Sequence, residues 1–235
     1  MSLRIWIVIV VVLIIVTAGW IIFDLMSGPL YHPGDVRAGK GLREPLAPPI
    51  QAGAGPQFWK VASDIDLFHF EQGAGEDVLT IHGGPGFVHN QSWKANAALA
   101  DKYRFLYYHQ RGCGRSSRPI TKLAGGNFYQ SMQALNGALG LAAHVADIER
   151  IRRILGRDKL VLAGHSFGAF IAALYATEFP EHVKALVFIS PANMAVLPNP
   201  KTDLFDLMRR RLPPDQLPEY DRFLAQYFDF SSQLR

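Results

Sequence analysis

Cysteine is almost missing from this chain. The single thiol, Cys113, excludes an internal disulfide framework. No CxxC pair and no HExxH run occurs, so neither a structural zinc site nor a zincin-type centre is indicated, and no cofactor is expected. Charge of one sign is scarce as well: 24 Lys and Arg against 20 Asp and Glu leave a formal charge of +4. The basic residues are scattered, with Arg150, Arg152 and Arg153 among helix formers and Arg209, Arg210 and Arg211 near the end. Without a basic stripe interleaved with aromatics, a nucleic-acid partner is not indicated. Internal repeats are absent. What is present is a globular composition, 49% apolar and 19% charged. At 235 residues the chain can build one sizeable core plus an appendage.

The longest uncharged run comes first. Residues 5–23, IWIVIVVVLIIVTAGWIIF, match the roughly 20 residues that cross a hydrocarbon core. Trp6 and Trp20 lie near its ends, where amphipathic rings favour the interface, and Arg4 and Asp24 close it. A secretory signal would carry a shorter apolar region, of about 7–15 residues, ending at a small-residue cleavage site. Thr17, Ala18 and Gly19 resemble such a site, but Trp20, Ile21, Ile22 and Phe23 continue the run. The expectation is a single-pass membrane anchor, amino terminus inside and domain extracytoplasmic on the nearest flanking charges. Residues 24–57 follow as a Pro/Gly-rich linker, with Pro29, Pro33, Pro45, Pro48, Pro49 and Pro56 preventing a helix or central strand.

Beyond the linker, strands and helices alternate. FWKVAS (58–63) and IDLFHFE (65–71) read as a hairpin, and DVLTIHG (77–83) and YRFLYYHQ (103–110) as strands. Residues 140–155 place Val145, Ile148, Ile151, Ile154 and Leu155 at helical spacing. LVLAGH (160–165) is a buried strand, residues 166–179 a buried helix stopped by Pro180, and ALVFIS (185–190) a further strand. This order predicts an α/β fold, a mostly parallel sheet with helices on both faces, with ligands at the carboxyl ends of the strands. Residues 58–199 form its core, and 200–235 read as the start of a helical cap.

Gly164-His165-Ser166-Phe167-Gly168 matches GxSxG between a buried strand and an apolar helix, the context of a nucleophile elbow. Small residues on either side let strand and helix approach closely, leaving the Ser166 hydroxyl at the amino end of a helix. His82-Gly83-Gly84-Pro85-Gly86 follows a strand end and has the form of an oxyanion loop. The expected oxyanion donors are the backbone N–H groups of Gly84 and Phe167, with His82, Gly83, Pro85, Gly86, Gly164 and Gly168 as supporting residues.

With HQRGCGRS (109–116) and DIERIR (147–152), these motifs make the chain resemble the α/β-hydrolase superfamily, and within it the proline iminopeptidase branch. That branch shows HGGPG, DQRGCGRS, a DIERLR-like helix and a GGSWG elbow. This chain departs at His109, where the family has aspartate, and at GHSFG. The resemblance covers about residues 58–200. It implies a serine hydrolase with an acyl-enzyme intermediate, acting on a small amide, peptide or ester. An aminopeptidase is one such enzyme. Cys113 reads as a buried structural thiol.

A serine nucleophile needs a base and an orienting acid, which in this fold follow it along the chain. Only His182 follows Ser166, and it precedes a strand, at the opposite end of the sheet. His82, His89 and His109 lie at the correct end but in the wrong order; His82 is expected to pack under the oxyanion loop and His109 to stabilise its own loop. Asp203, Asp206 and Asp215 read as cap surface. The resemblance implies that acid and histidine lie on strands beyond the cap. The sequence is accordingly read as the amino-terminal part of such an enzyme, with ALVFIS an exposed edge strand. The alternatives are a catalytically silent, hydrolase-fold binding module, or a base supplied by a second chain. Oligomeric state is left open.

Overall fold

The computed structural model describes residues 31–122, 127–192 and 204–227, with the helical positions Trp6 and Thr17. The apolar run at 5–23 otherwise lies outside them, as does Asp203. Among the described residues, no helix is long and apolar enough to cross a membrane.

Six strands form one sheet: β1 (Phe58–Ala62), β2 (Ile65–Gln72), β3 (Glu76–Ile81), β4 (Tyr103–Tyr108), β5 (Leu160–His165) and β6 (Val183–Ile189), in the order β1-β2-β4-β3-β5-β6. The first two strands make the expected hairpin, and β2 pairs antiparallel with β4. From there the sheet is parallel, with β3 between β4 and β5 and β6 at the edge. The helices are α1 (Phe128–Leu139), α2 (Leu141–Ile154), α3 (Phe167–Glu178), α4 (Leu204–Arg209) and α5 (Leu217–Tyr227). Helix α1 was not anticipated. Its signal is a capping box, in which Asn127 accepts from the Gln130 N–H and the Gln130 side chain returns to the Asn127 N–H.

Strand alternation sorts side chains onto two unequal faces. Leu79, Ile81, Leu106, Tyr108, Leu160 and Leu162 bury against Val145, Ile148 and Ile151 of α2 and Ile171, Ala172 and Tyr175 of α3. The opposite face presents Val78, Phe105, Tyr107 and Ala163, packed with Phe70 and Trp93. The expectation of helices on both faces is therefore corrected for the described residues. The connection from β3 to β4 spends its first residues on glycine and proline and then makes only a 3-10 helix, Lys94–Leu99. A groove of about 470 Å³ remains there, lined by Val78, Trp93, Phe105, Val161 and Val187 among others. At the edge of the sheet, residues 184–188 of β6 are exposed.

Residues 31–57 form neither helix nor strand beyond short turns, as their prolines require, yet the segment does not hang free. Val36 is fully buried in the core, and Tyr31, Leu42 and Leu46 pack against it. Glu178, at the carboxyl end of α3 and 3% exposed, holds this segment. Its carboxylate accepts from Tyr31 Oη (2.6 Å), Gly34 N (2.7 Å) and Arg37 N (2.6 Å), and its carbonyl accepts from Arg37 Nη2 (2.6 Å). A stretch read as linker is thus partly a strap, because a buried carboxylate must find donors and the strap's backbone supplies them.

A second clamp is ionic. Asp147 of α2 takes Arg111 Nε (2.7 Å) and Nη2 (2.5 Å) in a bidentate pair, and Arg150 Nη1 reaches the same carboxylate at 3.3 Å. Arg150 also donates to the carbonyls of Glu44 (2.8 Å) and Pro45 (2.9 Å). QRGCGRS, DIERIR and the strap therefore meet at one buried carboxylate. Helices α4 and α5 form a hairpin, joined by Arg209 to Asp221 (2.8 and 2.9 Å) and by Tyr220 Oη to the Phe205 carbonyl (2.9 Å). Asp215 is exposed, and Asp206 is partly exposed and paired with Arg210. Asp147→Asn leaves two buried guanidinium groups without a carboxylate. It is expected to cost about 3–5 kcal/mol, read as a lowered urea midpoint; a midpoint within error of the parent would refute the clamp.

Candidate active site

The carboxyl end of β5 delivers Ser166 into a turn with φ 51° and ψ −118°, a conformation that side chains other than glycine rarely adopt. Helix α3 starts at the next residue, so the Phe167 N–H is the first of the amide groups that have no acceptor within the helix. The turn is tied down from the neighbouring strand: Ser166 N donates to the Ile189 carbonyl at 3.0 Å, and Ala192 N donates to the Ser166 carbonyl at 3.2 Å. Both motif glycines are sterically required. A Cβ at Gly164 would meet the Ala169 N–H at 2.5 Å, and one at Gly168 would lie 2.6 Å from the His82 carbonyl oxygen.

That second contact sets the HGGPG loop against the elbow. Gly84 and Gly86 take φ of 118° and 94°, with a cis peptide between Gly84 and Pro85. A Cβ at Gly83 would sit 2.9 Å from the Ser166 Cβ. The structure therefore brings HGGPG and GHSFG into van der Waals contact, as the motifs suggested. Beside them opens a cleft of about 520 Å³, lined by Phe87, His89, Trp93, Asn96, His165 and Ile189.

The histidines divide by their hydrogen bonds. His82 is buried and its ring carries three contacts: Nδ1 to the Gly83 carbonyl (2.8 Å), Nε2 from the Gln110 N–H (3.0 Å), and a longer approach of Gln110 Nε2 to Nδ1 (3.4 Å). Burial holds it neutral, down to about 4. His109 bridges two loops, with Nε2 to the His89 carbonyl (3.0 Å) and Nδ1 from the Arg115 N–H (3.0 Å). His89 packs edge-on to Trp93 and Tyr107, and burial lowers it to about 4. His182 bonds the Asp158 carbonyl at 3.0 Å, at the amino end of β6. Among the described residues no histidine is hydrogen-bonded to the Ser166 hydroxyl. Burial pushes the Cys113 thiol up, away from the nucleophilic thiolate. No cluster of three metal-ligating side chains exists among the described residues.

Sequence reading missed three contributors. Gln110, 1% exposed, holds His82 from the loop after β4; His165 sits beside Gly83; His144 of α2 packs edge-on to Phe167 with ring centroids 6.2 Å apart. Gln110 and His165 lay inside recognisable motifs, but nothing in the spacing of Gln110 pointed to His82 and nothing in GxSxG pointed to the contact of His165 with Gly83.

A family model described as the alpha/beta hydrolase fold matches residues 78–232. This chain belongs to the α/β-hydrolase family. It is 33% identical over 127 residues to a proline iminopeptidase of Heyndrickxia coagulans, covering 54% of this chain and 39% of that protein. A proline iminopeptidase of Saccharolobus solfataricus is 31% identical over 124 residues, covering 51% and 34%. The chain thus spans about two-fifths or less of the length of these curated relatives. Among solved structures, a Bacillus megaterium epoxide hydrolase aligns with a TM-score of 0.48 at 22% identity, covering 62% of this chain and 46% of that one. An esterase from Thermogutta terrifontis aligns at 0.44 and 24%, covering 70% and 53%.

Two outcomes test this geometry. Ser166→Gly relieves the positive φ, so it is expected to exceed Ser166→Ala in stability by about 1 kcal/mol in denaturant unfolding; equal midpoints would show that the elbow is unstrained. His82 and His144 are each held by burial from the ordinary 6.5 to about 4. The unfolded chain binds those protons first, so their contribution is complete above about pH 6.5 and is lost as pH falls toward about 4. His144→Leu should flatten the decline of the urea midpoint across that window, and an unaltered slope would count against a buried neutral ring.

Proposed function

We propose that the chain is a membrane-anchored serine hydrolase acting on a small amide, peptide or ester, with Ser166 as nucleophile and an acyl-enzyme intermediate. The observation that carries this is the positive φ of Ser166 between two glycines that admit no side chain, with the HGGPG loop pressed against it. Strain of this kind persists only where the surroundings enforce it, and it clusters at reactive groups. In the proposed reaction Ser166 Oγ attacks the substrate carbonyl carbon, its hydroxyl proton passing to a general base outside the described residues and from that base to the departing amine or alcohol. The Gly84 and Phe167 N–H groups receive the oxygen as it becomes anionic, and collapse expels the amine or alcohol. Water then releases the acyl group. The similarity to proline iminopeptidases favours a short peptide with a free amino end.

Residues 5–23 serve as the anchor in this proposal, and residues 58–199 as the catalytic core, with the cap starting at 200. Flanking charges favour an extracytoplasmic domain. Tyr31 is bound to Glu178, at the end of α3 opposite Ser166, which is compatible with a site facing soluble substrate in this proposal.

Labelling carbonate-washed membranes with a fluorophosphonate tests both parts. The expected result is stoichiometric modification at Ser166, absent from Ser166→Ala, in the membrane pellet. An unmodified chain would favour a hydrolase-fold binding module instead, and labelled protein in the wash would remove the anchor.

A further inference from the structure

The backbone N–H of Gly84 can serve a developing oxyanion only if something aims it. Glycine tolerates many conformations, and Gly84 sits at a φ of 118° between two further glycines and a proline. We propose that His82 is a positioning residue that aims the Gly84 N–H by holding the carbonyl of the same peptide group. This rests on the hydrolase reading of Ser166 given above.

The argument runs through one peptide plane. The bond from Gly83 to Gly84 is planar, so the Gly83 carbonyl and the Gly84 N–H point in opposite directions. That carbonyl is held by the His82 ring at Nδ1 (2.8 Å) and by the Phe87 N–H (3.3 Å). With the oxygen held, the Gly84 N–H has one direction left. The Gly83 Cα lies against Ser166, where an added Cβ would come within 2.9 Å of the serine Cβ. The aimed N–H is therefore carried by the segment that touches the nucleophile.

The ring can hold the carbonyl only in one protonation form, and Gln110 enforces it. Gln110 N is a donor without accepting capacity, and it lies 3.0 Å from His82 Nε2, which must therefore present its lone pair. The hydrogen then sits on Nδ1, facing the Gly83 carbonyl. Gln110 Nε2 also donates to the His82 carbonyl at 2.8 Å, fixing the residue at both side chain and backbone. His82 is fully buried and Gln110 is 1% exposed, so water does not compete for these bonds. With both nitrogens committed, His82 is excluded as general base for Ser166.

The test uses the rate of fluorophosphonate labelling of the full chain in detergent micelles. An asparagine amide reaches the position of the imidazole Nδ1, whereas a glutamine amide reaches that of Nε2. His82→Asn keeps the bond to the Gly83 carbonyl and is expected to label within about threefold of the parent. His82→Gln loses it and should label at least about tenfold more slowly, toward the loss seen when one oxyanion donor is removed. Thermal midpoints of both variants separate misfolding from misaiming. Equal labelling of the two variants at comparable stability overturns the inference. Imidazole ¹⁵N resonances of the unmodified chain at neutral pH supply a readout independent of reactivity: the expected form is Nδ1–H, and an Nε2–H form overturns the inference alone. A parent chain that stays unlabelled overturns the hydrolase reading and, with it, the catalytic purpose of the pair.

Discussion

A single strained backbone position organises the functional end of this molecule. Ser166 adopts a φ of 51°, and that turn exists only because its neighbours have given up their side chains. Gly164 lets β5 pass under the helix, Gly168 lets α3 approach the β3 end, and Gly83 lets the loop lie against the serine. Two separate stretches of sequence thus serve one dihedral angle. The hydrogen bond from Ser166 N to the Ile189 carbonyl brings in a third, since it ties the elbow to the edge strand β6.

Around that end, buried charge does the fastening. Asp147 gathers Arg111 and Arg150, joining the loop after β4 to α2 and to the strap. Glu149, on the same helix, is held to about 2: burial opposes its ionisation, but hydrogen bonds from Arg152, Arg153 and Tyr175 outweigh that. Glu178 fastens the strap at the far end of α3. Such pairs add little net stability over apolar packing, but removing one partner strands a charge, so they specify which segments must meet. The strap's many prolines and glycines suit this role, since its backbone groups are free to bond side chains rather than a ladder.

The two faces of the sheet differ in a way that composition conceals. Both are lined by apolar residues, yet α2 and α3 cover only one of them among the described residues. On the other, Trp93 and a single 3-10 helix border an open groove, and β6 leaves Leu186, Val187 and Phe188 between 37% and 46% exposed. The cleft beside Ser166 continues from this uncovered side, sharing Trp93, Asn96 and Ile189 with the groove.

Much of the fold was legible in the sequence, because it is written in local patterns. Short apolar and aromatic runs marked the strands, helical spacing marked α2, an apolar run stopped by Pro180 marked α3, and GxSxG between strand and helix marked the elbow. Helix α1 escaped because its evidence is a capping box rather than an apolar stripe. The anchor at 5–23 remains a sequence-level reading of length and hydropathy. What the linear pattern does not encode is which distant groups converge. That Asp147 serves Arg111, that Glu178 captures a strap more than 140 positions earlier, and that Gln110 sets the tautomer of His82 all depend on strand order and loop placement. Residue types in sequence determined that a GxSxG turn and a glycine-rich HGGPG loop exist here. Only tertiary structure decided how they face each other, because burial makes each polar group find a partner and the partner's identity is a matter of geometry.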